Sequence, residues 1–217
     1  MTSGKPLKQH LIIFTRYPEP GKTKTRLIPA LGEVGAANLQ QQMTEYTIFQ
    51  VKELQKITTV SVEVRFTGGD LEKMQNWLGN DLRYQLQGEG DLGTRMKRSL
   101  INAFSQGAEK IIIIGTDCPD LNPQILTTAF EQLNVFNLVL GPALDGGYYL
   151  IGLQQPIAKL FANIPWGTAQ VFSKTVEIAQ KLNLSIGYLQ PLADIDCPKD
   201  LENWDFSNIG QNLCTFK

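Results

Sequence analysis

The sequence is poor in histidine and cysteine, and it has no long run of one charge sign and no apolar stretch of membrane length. Among its 217 residues are one histidine and three cysteines. Cys118, Cys197 and Cys214 are an odd number of thiols in a chain long enough to be stable without staples, which excludes a disulfide framework and fits free thiols in a reducing, cytoplasmic setting. His10 stands alone near an N-terminus expected to be mobile, where neither a general-base nor a metal role is expected, and without a Ser-His-Asp or Cys-His arrangement nucleophilic hydrolysis has no support. A formal net charge of -1 and a pI of about 5.9, without a Lys/Arg run, build no field for DNA or RNA. The most apolar stretches, 11–14 and 111–114, are far shorter than a bilayer requires, so neither a membrane span nor export is expected.

What is present is a core-forming chain, 42% hydrophobic and 19% charged, within the size of one α/β domain. A single domain over 1–217, with its core at about 11–203, is expected. Apolar β-branched runs alternate with proline-free Ala/Gln/Leu/Glu-rich segments. Strands are predicted at 11–15, 58–66, 83–86, 111–114, 137–140, 148–151 and 185–189. Helices are predicted at 33–54, 70–77, 94–104, 123–133 and 169–182. The run 111–114 reads as a central strand buried on both faces. This alternation predicts a mostly parallel sheet flanked by helices in three layers, with ligands beyond the carboxyl ends of the strands.

Four loops there carry chemistry. The first, from Thr15 and Arg16 through Gly21, Lys22, Lys24 and Arg26, puts backbone freedom and a cluster of cations after the first buried strand, an arrangement suited to a diphosphate; a solvated basic turn is the plainer alternative. Gly21-Lys22-Thr23 is not a Walker A site, because Arg16 stands where that motif needs its first glycine. The second loop brings Gly90, Asp91, Thr94 and Arg95 to a helix entrance, for ligand contact or for capping by Asp91 or Thr94.

In the third loop Asp117 directly follows the most buried strand and is the first candidate ligand for Mg²⁺ or Mn²⁺, hard cations that need only one or two protein carboxylates when substrate phosphates supply other oxygens. Asp120 reads rather as the cap of the next helix. The fourth region holds Asp145, Gly146, Gly147 and Tyr148 and, further on, Asp194 and Asp196, which alternate along an extended segment and so share one face. That pair is the candidate second metal arm, whereas Asp200 reads as a helix N-terminal charge. Trp166 is placed either to stack on a base or sugar or in the interior. Cys118 and Cys197 flank the acidic positions and are expected to pack rather than react.

Four motifs in order, Pro20-Gly21-Lys22-Thr23-Lys24-Thr25-Arg26, Gly90-Asp91-Leu92-Gly93-Thr94-Arg95-Met96, Gly115-Thr116-Asp117-Cys118-Pro119-Asp120-Leu121 and Leu144-Asp145-Gly146-Gly147-Tyr148-Tyr149, carry a family resemblance running from Leu11 to about Leu201. The chain resembles the DUF2064 proteins, also called radical-SAM/selenodomain-associated transferase 1 and described as arsenosugar-biosynthesis glycosyltransferases, within the GT-A nucleotide-diphospho-sugar transferase fold. The resemblance implies a GT-A sheet with Asp117 at the metal-binding acidic motif, Asp194 or Asp196 as second metal carboxylate and Asp145 facing acceptor or sugar. Thr94 departs from the pattern, standing where many relatives carry glutamate.

The implied activity is metal-dependent glycosyl transfer from a nucleotide-diphospho-sugar to a small-molecule acceptor, with Asp145 activating the acceptor. The alternative is nucleotidyl transfer, with Lys22, Lys24 and Arg26 stabilising the departing pyrophosphate. A non-catalytic nucleotide-binding protein is the alternative from another class.

Overall fold

The computed structural model describes residues 8–203, so Cys214 lies outside the described residues. Seven strands form one sheet: β1 (Gln9–Arg16), β2 (Ser61–Thr67), β3 (Arg83–Leu86), β4 (Lys110–Ile114), β5 (Leu138–Pro142), β6 (Tyr148–Leu153) and β7 (Ile186–Tyr188). Their order is β3-β2-β1-β4-β6-β5-β7. Every pairing is parallel except those of β6, which runs antiparallel to both β4 and β5. The Gly146-Gly147 turn explains the exception, since a short reversal joins only antiparallel neighbours, whereas each parallel connection needs a crossover.

Five helices make the crossovers: α1 (Ile28–Ile57), α2 (Leu71–Leu78), α3 (Leu92–Ser105), α4 (Pro123–Gln132) and α5 (Val171–Lys181). The predicted elements all occur, with one boundary moved furthest: α1 begins at Ile28 rather than 33, with a proline at its first turn and a kink at Gly32. Proline fits where the helix has no intrahelical use for its missing N–H, and Gly32 takes φ 70° inside the assigned helix.

The sheet alternation divides the core. Leu11, Ile13, Val62, Val64, Ile112 and Ile114 pack under α1, α2 and α4 on one face, while Ile12, Phe14, Ile111 and Ile113 pack under α3 and α5 on the other. The four isoleucines of β4 are thus buried on both sides, as a central strand demands. Near one end, Leu27, Leu39 and Met43 enclose Ile195, which anchors the late acidic segment against the start of α1. No described helix is long and apolar enough to cross a membrane.

Two expectations are corrected here. His10 is inside β1 and 3% exposed, with Nδ1 2.6 Å from Ser61 Oγ. Burial, reinforced by the charges of Arg83 and Arg65, lowers its pKa to about 4, so the imidazole is neutral at neutral pH. Asp120 does not cap α4; Asn122 does, its Oδ1 accepting from the Ile125 N–H at 3.1 Å, because the cap must sit immediately before Pro123 for its side chain to reach the first orphan donors.

Candidate active site

β1 and β4 are neighbours whose chain connections run toward opposite edges of the sheet, β1 to β2 and β4 to β5, which opens a crevice beyond their carboxyl ends. Three connected compartments occupy it. The first, about 320 Å³, is lined by Thr15, Arg16, Gln87, Arg95 and Thr116. The second, about 330 Å³, shares Asp117, Tyr148 and Tyr149 with the first and adds Asp145, Trp166 and Asp194. The third, beyond Arg26, Asp145, Asp194 and Asp196, reaches Lys199 and Asp200.

The floor of the first compartment is a buried polar network. Thr15 and Thr44 hydroxyls lie 3.0 Å apart, and Gln40 Nε2 lies 3.0 Å from Thr44 and 3.3 Å from both Thr15 and Thr116. Gln87 Nε2 lies 3.0 Å from the Thr15 and Arg65 carbonyls, and its Oε1 accepts from Arg95 at 2.6 Å. A buried amide partnered at both its nitrogen and its oxygen, as Gln87 is, is rigid, so Arg95 is aimed rather than mobile. Burial, and next the charge of Arg16, lowers the Arg95 pKa from its ordinary value. Among the described residues neither Arg16 nor Arg95 has a carboxylate within ion-pair distance.

Gln40, Thr44 and Gln87 were not singled out in the sequence. The available signal was the i, i+4 spacing of Gln40 and Thr44 on the buried side of α1, where an ordinary core helix places apolar residues.

The second compartment gathers the acidic candidates. Asp117 is half-exposed and accepts from Lys24 Nζ at 2.7 Å. Asp145 Oδ1 accepts from the Gly147 N–H at 2.7 Å, which orients the carboxylate within its own turn. Burial and then the neighbouring charge of Asp145, with smaller contributions from Asp200 and Asp117, raise the Asp194 pKa to about 6. The Cys118 thiol is pushed up by burial and then by Asp117, Asp194 and Asp145, so it is inert packing at neutral pH. A half-buried carboxylate such as Asp194, whose charged neighbours are other carboxylates, is short of positive charge.

Oxygen-only donors of this type suit Mg²⁺ or Mn²⁺. Among the described residues no group of three or more His, Cys, Asp or Glu side chains is gathered to hold a metal ion. The fit is therefore to a cation that takes one or two carboxylates here and its other oxygens from substrate and water.

An aromatic wall faces these carboxylates. The Trp166 and Tyr148 rings meet edge to face, centroids 6.4 Å apart. Trp166 also lies against Gly93, where an added Cβ would sit 2.6 Å from its ring, so the glycine of Asp91-Leu92-Gly93 is there to admit the indole. Gly146 has φ 93°, and a Cβ on it would lie 2.3 Å from the Ala169 carbonyl oxygen; only glycine lets the Asp145 turn dock on the approach to α5.

The remaining sequence candidates are placed as follows. Asp91 caps α3, its Oδ1 accepting from the Thr94 N–H at 2.7 Å, with Gly90 just before it in a left-handed conformation. Gly21 is likewise left-handed, at φ 77°, and adjoins Lys22, which is exposed and paired with Glu19 at 2.8 Å; the Lys22 carbonyl accepts from Arg16 at 2.5 Å. Arg26 is exposed at the groove and paired with Asp196 at 2.8 Å. Lys24 is buried against Asp117 and the Ile195 carbonyl. Asp200 sits in the first turn of the 3-10 helix Pro198–Asn203, as expected of a helix N-terminal charge, and its Oδ2 also accepts from the Asp196 N–H at 3.0 Å and the Cys197 N–H at 2.8 Å, folding the acidic segment back on itself.

Comparison with known proteins bears on the family and the fold. Residues 50–168 match the model of DUF2064, uncharacterised proteins conserved in bacteria, a stretch that holds Asp117, Asp145 and Trp166 but neither the first loop nor Asp194 and Asp196. No curated protein matches. A provisionally named nucleotide-diphospho-sugar transferase from Desulfovibrio desulfuricans G20 superposes with a TM-score of 0.86 at 29% identity over 96% of both chains. The inositol-1-phosphate CTP transferase of T. maritima shares the fold at a TM-score of 0.58 and 14% identity over 96% of both chains. So does Rv0371C of Mycobacterium tuberculosis H37Rv, solved in complex with manganese, at 0.55 and 11% over 91% of this chain and 97% of that one. With more than half of its length matched by the family model, the chain belongs to the DUF2064 family.

Proposed function

We propose that the protein is a transferase acting on a nucleotide-activated substrate, and specifically that it moves a glycosyl group from a nucleotide-diphospho-sugar to a small-molecule acceptor. The observation that carries this reading is the second compartment, where the Trp166–Tyr148 wall stands opposite Asp117, Asp145 and Asp194. An aromatic face beside carboxylates suits a sugar ring, whose C–H faces stack while its hydroxyls bond to oxygen acceptors. The adjoining first compartment, with Arg16 and Arg95 free of carboxylate partners, suits the nucleotide and its phosphates.

In this reading Asp145, oriented by the Gly147 N–H, accepts the proton of the acceptor hydroxyl. The freed oxygen bonds to the anomeric carbon, the bond from that carbon to the diphosphate oxygen breaks, and nucleoside diphosphate leaves. Asp117 and Asp194, or Asp196 in its place, are the residues that would hold Mg²⁺ or Mn²⁺, which supplies charge neutralisation for the departing diphosphate when bound. Arg16 and Arg95 hold the nucleotide end, and Trp166 keeps water from the sugar face.

Nucleotidyl transfer is the second reading, supported by the shared fold of the CTP transferase of T. maritima. Two of the cations it requires for pyrophosphate are already engaged, Lys24 by Asp117 and Arg26 by Asp196, which is why it ranks second.

The deciding experiment incubates the protein with Mg²⁺ or Mn²⁺ and panels of nucleotide sugars and nucleoside triphosphates. Release of nucleoside diphosphate from one sugar donor is expected, and release of pyrophosphate from a triphosphate sinks the glycosyl reading. Asp145→Asn should lower kcat by about 10²–10⁴-fold, the ordinary range for a general base, with KM for the donor little changed.

A further inference from the structure

Lys24 does not have the setting of a phosphate-gripping lysine. Its backbone is left-handed at φ 43° and ψ 47°, a conformation that side chains other than glycine, asparagine and aspartate seldom adopt. Its side chain is 3% exposed. Its ammonium donates to Asp117 Oδ1 at 2.7 Å and to the Ile195 carbonyl at 2.6 Å. The same three segments are tied twice more: the Ile195 N–H donates to the Asp117 carbonyl at 2.9 Å, and the Ile195 side chain packs among Leu27, Ala36, Leu39 and Met43. The first loop is turned inward on purpose, delivering one positive charge to the acidic residue that follows β4.

We infer that Lys24 is a positioning residue that competes with divalent metal for Asp117, so that the cation enters together with substrate phosphates rather than ahead of them. The inference rests on the reading of Asp117 as a cation-side carboxylate. An ammonium at hydrogen-bond distance takes one oxygen of Asp117 and repels a second cation on the same carboxylate. Arg26 acts in the same sense on Asp196, 2.8 Å away. With protein cations already on Asp117 and Asp196, a bare Mg²⁺ or Mn²⁺ gains little. Substrate phosphates reverse the balance, because they bring oxygen ligands and negative charge that offsets Lys24.

The test reads Mn²⁺ binding to the protein without nucleotide, by the loss of the free Mn²⁺ paramagnetic resonance signal, alongside a thermal melt of each variant. Lys24→Met is expected to bind Mn²⁺ at least tenfold more tightly than the wild type, while Lys24→Arg, which keeps the charge, stays within twofold. Should Lys24→Met fail to fold, Lys24→Gln removes the charge while keeping a donor for Asp117, and the same tenfold gain is expected. Unchanged or weaker binding in a folded, uncharged variant overturns the competition, as does an equal gain in Lys24→Arg. A gain that survives addition of Asp117→Asn shows that the metal sits elsewhere, and it is then the reading of Asp117 that falls.

Discussion

Two buried cations, one on a strand and one on the first loop, make opposite use of their carboxylate partners. Arg65, on β2, pairs with Glu63, and both side chains are almost completely buried, at 2% and 1% exposure. Lys24 is as deeply buried, but its partner Asp117 is half-exposed to the groove. The first pair is closed: neither member can meet a ligand, and its role ends with the sheet. The second is open on its acidic side, so the same buried-cation device presents a carboxylate to whatever enters. Burial of a charge thus says little about function until the exposure of its partner is known.

The largest expected effect separates the two pairs. Glu63→Ala strands Arg65 and should cost about 3–5 kcal/mol of stability, the ordinary penalty for one partner of a buried pair. Asp117→Asn keeps an acceptor oxygen for Lys24 and sits half in solvent, so it should cost only about 1 kcal/mol while abolishing turnover. Urea unfolding of both variants measures the contrast, and equal losses would break it.

A second effect is read in pH. His10 lies 3.9 Å from Glu63 and beside the same closed cluster, and its pKa falls from 6.5 to about 4 on folding. The unfolded chain therefore takes up the proton first. Stability from this group is complete above pH 6.5 and declines as pH falls toward 4, by up to about 3 kcal/mol for a shift of this size. Asp194, with its pKa raised to about 6 in the fold, acts in the opposite direction, because there the folded state binds the proton first. The measurement is accordingly the difference between wild type and His10→Gln in urea unfolding at pH 7, 5.5 and 4.5. That difference should shrink or reverse as pH falls, and a constant difference would refute the buried-neutral assignment.

The smallest effect lies in the groove wall. Gly93→Ala pushes a methyl into the Trp166 ring and should cost roughly 1–3 kcal/mol, as overpacking does. Because the displaced indole faces the second compartment, KM for the sugar donor should rise more than the melting temperature falls. A loss of stability with KM unchanged would move Trp166 from the site into the core.

Much of the fold could be read residue by residue. Four consecutive isoleucines can only be a short strand covered on both faces, and the proline-free, Gln-rich stretch before 54 can hardly be anything but helix. The placement of Asp117 and Asp145 in loops of the groove followed from local pattern and from the carboxyl-end rule. The cap of α4 did not follow, because Asp120 and Asn122 are both good caps and only the backbone path decides between them. His10 was misplaced for a similar reason: proximity to a terminus says nothing about whether a strand carries the residue into the sheet.

The sequence by itself determined the alternation of elements, the families of acidic and basic loops, and their gathering at one end of a parallel sheet, since these depend on period, propensity and short turns. Tertiary structure alone decided what those loops do to one another. That β6 inserts antiparallel between β4 and β5, that Gln40 and Gln87 stiffen the first compartment, and that Lys24 turns inward onto Asp117 93 positions away are long-range outcomes. Their physical cause is the high cost of leaving a buried polar group without a partner, which selects one pairing among many that the local sequence permits.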